Sequence, residues 1–301
     1  MIRFGPAGWT YKDWEGVVYP KPKPKGFDPL VAMASLFDTV ELNTSFYAPI
    51  TPHNAHLWLE RTAFNPDFRF TAKLWRRFTH QRDEPWTAED VRWTRVGLGV
   101  LSEAGRLGAV LVQFPWSFRN EPESRDHVDA IVSAFEGFPL VLEVRHASWN
   151  EPSYYAELVE RGLGFVNIDQ PLFKNSIAPS ARATAAVGYV RVHGRNYKEW
   201  FRQTSPIDRY DYLYSARELQ PWADRTKEIA AHPRTEDVYV ITNNHARGKG
   251  VTNALMLKAM VTGQPVEAPA TLLREYAGAL RPYARPVDMA ELGRGSPAPS
   301  G

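Results

Sequence analysis

Eight short runs of apolar and β-branched residues punctuate the chain, and their spacing leaves few folds open. They are Ile2–Gly5, Thr39–Leu42, Arg69–Lys73, Val110–Gln113, Leu140–Val144, Gly164–Ile168, Tyr189–Val192 and Val238–Thr242. Their starts lie roughly 25–50 residues apart, the size of a strand–helix unit with variable loops. Helix signals fill the gaps. Thr51-Pro52 reads as an N-cap with proline at the first helical position, leading into 55–62. Thr87 to Asp90 and Ser215 to Glu218 read as capping boxes. Val128, Ile131, Val132 and Phe135 make one apolar stripe, Tyr154–Arg161 closes at Gly162, and Asn253–Met260 is apolar enough to be helical. Only Phe173–Val187 shows no helical pattern.

About eight strand–helix repeats argue for an α/β fold, a single TIM-like (β/α)₈ barrel with one irregular unit. A doubly wound open sheet has the same periodicity. No glycine-rich dinucleotide fingerprint follows any predicted strand, which weakens that version. The expected barrel domain spans 1–280, and the Pro/Gly/Ser-rich segment 281–301 is expected to be a disordered tail.

Composition narrows the chemistry. The chain of 301 residues has 36 basic and 34 acidic side chains, a formal charge of +2, which permits a polyanionic partner without requiring one. The absence of cysteine excludes disulfides, thiolate metal sites, iron–sulfur clusters and a cysteine nucleophile. No leader-like or membrane-spanning stretch stands out, so a cytoplasmic protein without a membrane partner is expected, a monomer being plausible. Neither NAD nor ATP is expected, because their phosphate loops are missing, and no haem is expected. A Gly-x-Ser-x-Gly elbow is missing as well, against a serine-triad hydrolase.

In a barrel of this kind the site lies at the C-terminal ends of the strands. Those ends carry Glu41 and Asn43, Lys73, Gln113, Glu143 and Arg145, Asp169, Arg191 and His193, and Asn243 and Asn244. Such residues can simply pair, Glu143 with Arg145 or Arg191 and Glu41 with Lys73. Cancelling so many desolvated charges is costly compared with apolar packing, so a functional site within the ring is expected.

Gly8-Trp9-Thr10-Tyr11, Trp14, Gly16, Tyr19-Pro20 and Val40-Glu41-Leu42-Asn43-Thr44-Ser45-Phe46-Tyr47 resemble the YecE-like family, domain of unknown function 72. The likeness continues through Lys73, Thr79-His80, Val112-Gln113-Phe114-Pro115, Ser117-Phe118, Glu143-Val144-Arg145-His146 and Ser148-Trp149. It ends with Tyr189-Val190-Arg191-Val192-His193-Gly194, Tyr214-Ser215, Asn243-Asn244 and Asn253-Ala254, covering roughly residues 3–260. The resemblance implies a TIM-like barrel and no particular reaction. Two departures stand out: Trp116 where the family often has a second proline, and Thr242 where it has an aromatic residue.

Three chemistries remain open. The first is phosphoester hydrolysis on a small molecule or nucleic acid. The loops after strands seven and eight read His193-Gly194-Arg195-Asn196-Tyr197 and Asn243-Asn244-His245-Ala246-Arg247-Gly248-Lys249-Gly250, where glycines and a helix N-terminus suit an anion and Arg247 and Lys249 add charge. Residues 69–95 carry seven basic and four acidic side chains interleaved with Trp75, Phe78, Trp86 and Trp93, as a nucleic-acid groove would. Glu41, Glu143, Asp169 and His193 would bind Mg, Mn or Zn or act as base, with His193 as general acid–base. Arg145, Arg191 and Lys73 would stabilise negative charge, and Asn43, Gln113, Asn243 and Asn244 would orient the substrate. On this assignment Glu143→Gln abolishes activity and spares the fold. The second chemistry is glycoside hydrolysis or sugar binding, with Glu41 and Glu143 as acid and nucleophile and Trp9, Tyr11, Trp14, Tyr47, Trp116 and Trp149 as stacking platforms. The third is a non-catalytic barrel that only holds a ligand or nucleic acid.

Overall fold

The protein, a computed structural model that describes residues 1–200 and 206–294, contains a barrel of eight parallel strands surrounded by helices. The strands are β1 (Ile2–Pro6), β2 (Thr39–Leu42), β3 (Arg69–Lys73), β4 (Leu107–Gln113), β5 (Leu140–Glu143), β6 (Gly164–Asp169), β7 (Val187–Val192) and β8 (Asp237–Thr242). From β2 to β8 each strand pairs with the next in sequence, and β8 returns to β1. The closing seam between β1 and β2 is a single bridge, Ala7 to Glu41, with the Gly8 amide donating to the Glu41 carbonyl at 2.9 Å. A Cβ on Gly5 would lie 1.8 Å from the Thr39 carbonyl oxygen, so this approach requires glycine.

The connecting helices follow their local signals. Thr51 caps Pro52–Arg61 through the Asn54 amide, and both capping boxes form, at Ala88–Glu103 and Ala216–Ala231. Proline also opens Pro29–Leu36, Pro122–Ala134 and Pro152–Glu160, where its missing N–H costs no helical bond. The stretch between β6 and β7 is irregular, as expected, and side chains satisfy its backbone. Asn167 accepts from the Arg182 amide at 2.7 Å and Ser180 Oγ at 2.8 Å, and Thr184 Oγ1 accepts from the Phe165 amide at 2.8 Å.

Ordered structure continues beyond residue 280, the expected domain end. Strand β9 (Val266–Pro269) pairs with β10 (Ala284–Val287), and Met289–Leu292 is a short helix with Met289 buried. Ladder bonds and one apolar anchor hold a segment whose composition alone reads as a tail. Residues 295–301, the rest of that segment, lie outside the described residues.

The barrel interior departs from the usual layers of branched aliphatic residues. Side chains alternate between lumen and exterior along each strand. On β7 that alternation, extended one residue past the strand, turns Tyr189, Arg191 and His193 inward, where they meet Glu41 and Thr71 from β2 and β3 and Glu143 from β5. The lumen is therefore polar at mid-height. The apolar core lies mainly outside it, between sheet and helices, with Trp14, Trp149 and Trp222 fully buried.

Candidate active site at the barrel mouth

Arg191 organises the lumen. Its Nε and Nη2 donate to Glu41 Oε2 and Oε1 at 2.9 and 2.5 Å, and its Nη1 donates to Glu143 Oε2 at 2.7 Å. Arg145 donates from Nε and Nη2 to Glu143 Oε1 at 2.9 and 2.7 Å. Tyr189 adds a hydroxyl donor to Glu41 at 2.9 Å. Burial alone would raise the Glu143 pKa; Arg191, His193 and Arg145 outweigh it and hold the carboxyl well below the usual range. Burial alone would likewise lower the Arg191 pKa, and Glu41 and Glu143 reverse that shift. The pairing alternative is thus the one realised for Glu143, which takes both arginines. Glu41 pairs with Arg191 rather than with Lys73.

His193, the expected general acid–base, belongs to the same network and does not line the cavity above it. Its ring is fully buried, with Nε2 3.2 Å from Glu143 Oε1 and Nδ1 3.1 Å from Asn243 Nδ2. The carboxylate needs a donor and the amide nitrogen an acceptor, which assigns the proton to Nε2. Burial pushes its pKa down to about 3, so the ring stays neutral.

Asp169 faces away from the lumen. In register Ile168 pairs with Arg191, so Ile168 shares the inward direction and Asp169 takes the opposite face. There it accepts from Arg195 Nε and Nη2 at 2.9 and 2.8 Å, from Trp222 Nε1 at 3.1 Å and from the Tyr214 hydroxyl. Each oxygen of Glu41, Glu143 and Asp169 already accepts from a guanidinium, and among the described residues no group of three His, Cys, Asp or Glu side chains could hold an ion. The proposed metal ligands therefore do not fit a metal centre.

The loop after β8 is also occupied by the protein itself. Arg247 is exposed and pairs with Glu275 at 3.0 Å, and Lys249 pairs with Asp211 at 2.5 Å. A Cβ on Gly248 would meet Val18 at 2.7 Å, so packing covers that turn rather than leaving it open to a phosphate. Asn244 is buried, its Nδ2 donating to the Tyr212 carbonyl and to Asn253 Oδ1 at 2.8 Å each, and it does not reach the mouth.

Above the network lies a cavity of about 640 Å³. Of the sequence-derived candidates, Trp9, Tyr11, Asn43, Tyr47, Lys73, Gln113, Arg145, Arg191 and Asn243 line it; Glu41, Glu143, Asp169, His193, Asn244 and Arg247 do not. Trp116, at the first family departure, forms part of its wall, whereas Trp14 and Trp149 are core residues. His80, Trp200, Arg209, Tyr210 and His245 join the lining without having been singled out as site residues. No acidic side chain appears among the described lining residues.

Lys73 stands apart in this set. Its Nζ sits 3.8 Å above the Phe46 ring and makes no hydrogen bond or ion pair among the described residues. Burial and then Arg191 push its pKa down from 10.5 to about 7, against an opposing pull from Glu41 and Glu143. His80, next to it in the lining, is pushed down to about 4 by burial and by Lys73, so its imidazole is neutral. Burial raises the Tyr11 pKa to about 12; its hydroxyl donates to the Ala7 carbonyl at 2.7 Å and its ring stacks on His245 at 4.3 Å.

The profile described as "Protein of unknown function DUF72" matches residues 3–275. The chain belongs to this family. UPF0759 protein YunF of Bacillus subtilis (strain 168) is 30% identical over 267 residues, spanning 84% of this chain and 92% of that protein. A solved DUF72 family protein from Thermotoga maritima MSB8 superposes with a TM-score of 0.78 at 31% identity, covering 87% of this chain and 99% of that one. A DUF72 family protein from Enterococcus faecalis V583, at 23% identity, shares the fold with a TM-score of 0.74 over 87% of this chain and 96% of its own. The DUF72 motif residues noted above divide between the two levels: Asn43, Phe46, Lys73, His80 and Gln113 line the cavity, while Glu41, Glu143 and His193 brace it from below. Among the described residues no helix is long and apolar enough to cross a membrane.

Proposed function

We propose that the barrel mouth binds a phosphoester bearing an aromatic base or ring, the nucleotide and nucleic-acid-end class, and hydrolyses it. The observation that carries this reading is the lining: Lys73, Arg145, Arg191 and Arg209 converge with aromatic walls and no described acidic side chain. Such a surface favours a compact anion joined to a flat ring, and the volume suits a ligand of nucleotide size. Glu41 and Glu143 hold the guanidiniums of Arg191 and Arg145 in fixed orientation, so they need not reorganise as charge develops on phosphoryl oxygens. Lys73, partly neutral near pH 7, is the group suited to accept a proton from water. The glycosidase alternative built on Glu41 and Glu143 loses both acid and nucleophile, since neither lines the cavity.

Calorimetric titration with AMP, adenosine, a short oligonucleotide and neutral oligosaccharides tests the reading. AMP should bind at least about tenfold tighter than adenosine, with affinity falling as salt rises. Equal affinities, or binding of oligosaccharides alone, would overturn it.

A further inference from the structure

We propose that Lys73 is also a carbonyl-condensing nucleophile, its amine forming an imine with an aldehyde or ketone group of a phosphorylated substrate in the mouth. The inference rests on the reading of the mouth as a phosphoester site and narrows its substrate class. An ammonium kept only to attract anions is stabilised by a nearby carboxylate. Here the two carboxylates in reach, Glu41 and Glu143, are committed to Arg191 and Arg145, and the lysine is left on the Phe46 ring at the cavity edge. Burial and neighbouring cations are the setting that keeps an amine neutral and reactive, and here they act against the Phe46 face, which favours the ammonium. The facing charges are Arg191 from β7, Arg145 and Glu143 at the end of β5, Glu41 from β2 and His80 after β3; the arginines lower the pKa, the glutamates raise it, and burial is the largest cause of the value near 7.

In the step, the Nζ lone pair attacks the carbonyl carbon, the C=O π pair moves to oxygen, and one amine proton transfers to that oxygen to give a carbinolamine. Protonation of its hydroxyl expels water and leaves the iminium; water addition reverses the sequence. The phosphate would lie against Arg145 and Arg191.

Pyridoxal 5′-phosphate is a suitable probe, an aromatic aldehyde with a phosphate. Wild-type protein treated with a stoichiometric amount and then borohydride is digested and mapped by mass spectrometry, with AMP binding measured on the same preparation. The expected result is a visible imine band, modification at Lys73 before the other lysines, a labelling midpoint near pH 7, and protection by AMP. Lys73→Arg removes the band, while Lys227→Arg, on an exposed helix face, leaves it unchanged. AMP binding together with labelling spread over exposed lysines, or a midpoint near 10, overturns the imine and leaves the phosphoester reading standing. Failure to bind AMP, with no protection of Lys73, overturns both.

Discussion

Two levels of one barrel treat charge in opposite ways. In the lumen, Glu41, Arg191, Glu143, Arg145 and His193 exchange hydrogen bonds until every carboxylate oxygen is taken, the Glu143 carboxyl is held well below its usual range and burial pushes the His193 ring down to about 3. In the cavity above, Lys73 has no counter-ion among the described residues, and burial and Arg191 push its pKa down to about 7. A saturated network holds positions; an unsaturated group is available for chemistry. The strand-end ring that reads as one site in the sequence is thus divided between a buried ion-pair network and the lining of the cavity above it.

The sharpest way to break this division is Glu143→Gln. It leaves the buried Arg145 without its carboxylate and Arg191 with Glu41 alone, and we expect a loss of about 3–5 kcal/mol in denaturant unfolding. Lost activity with unchanged stability would return Glu143 to the site. Lys73→Met should do the reverse, weakening AMP binding by about tenfold to a hundredfold in calorimetry. It should also stabilise the fold by about 1–2 kcal/mol at pH 6, because an unpaired charge is removed.

The pH dependence sharpens the same contrast. Between about pH 7 and 10.5 the unfolded chain carries a Lys73 proton that the folded one lacks, so stability should rise with pH through that window. Lys73→Met should flatten the rise in melting scans. Above it the raised Tyr11 pKa, about 12, acts with the opposite sign. Trp116→Ala, in the wall, should cost about 1 kcal/mol of AMP affinity without moving the melting temperature. Arg247→Ala should change stability by no more than about 0.5 kcal/mol, as an exposed pair does, and leave binding untouched.

Much of the fold was legible because its signals are local. Thr51-Pro52, the two capping boxes and the β-branched runs specify their elements within a few residues. The site was legible only in part. Lys73, Asn43, Gln113 and the arginines were named from strand ends, yet the face taken by Asp169 depends on pairing with β7, which no local window contains. That Glu41 would take Arg191 rather than Lys73 is set by side chains from strands β2 and β7 meeting across the lumen. Trp200, Arg209 and Tyr210 follow the β7 end in a stretch without periodicity, and no local signal in the sequence singled them out for the cavity.

The seam carries a mechanical consequence. Strand β1 grips β8 through five paired residues but meets β2 through one bridge, so the barrel is a rolled sheet riveted once at its rim. Gly8, Trp9 and Tyr11 lie just past that rivet and line the cavity. Widening the mouth there would give up one backbone bridge instead of a whole ladder, which makes the β1–β2 edge the most lightly paired seam of the cylinder.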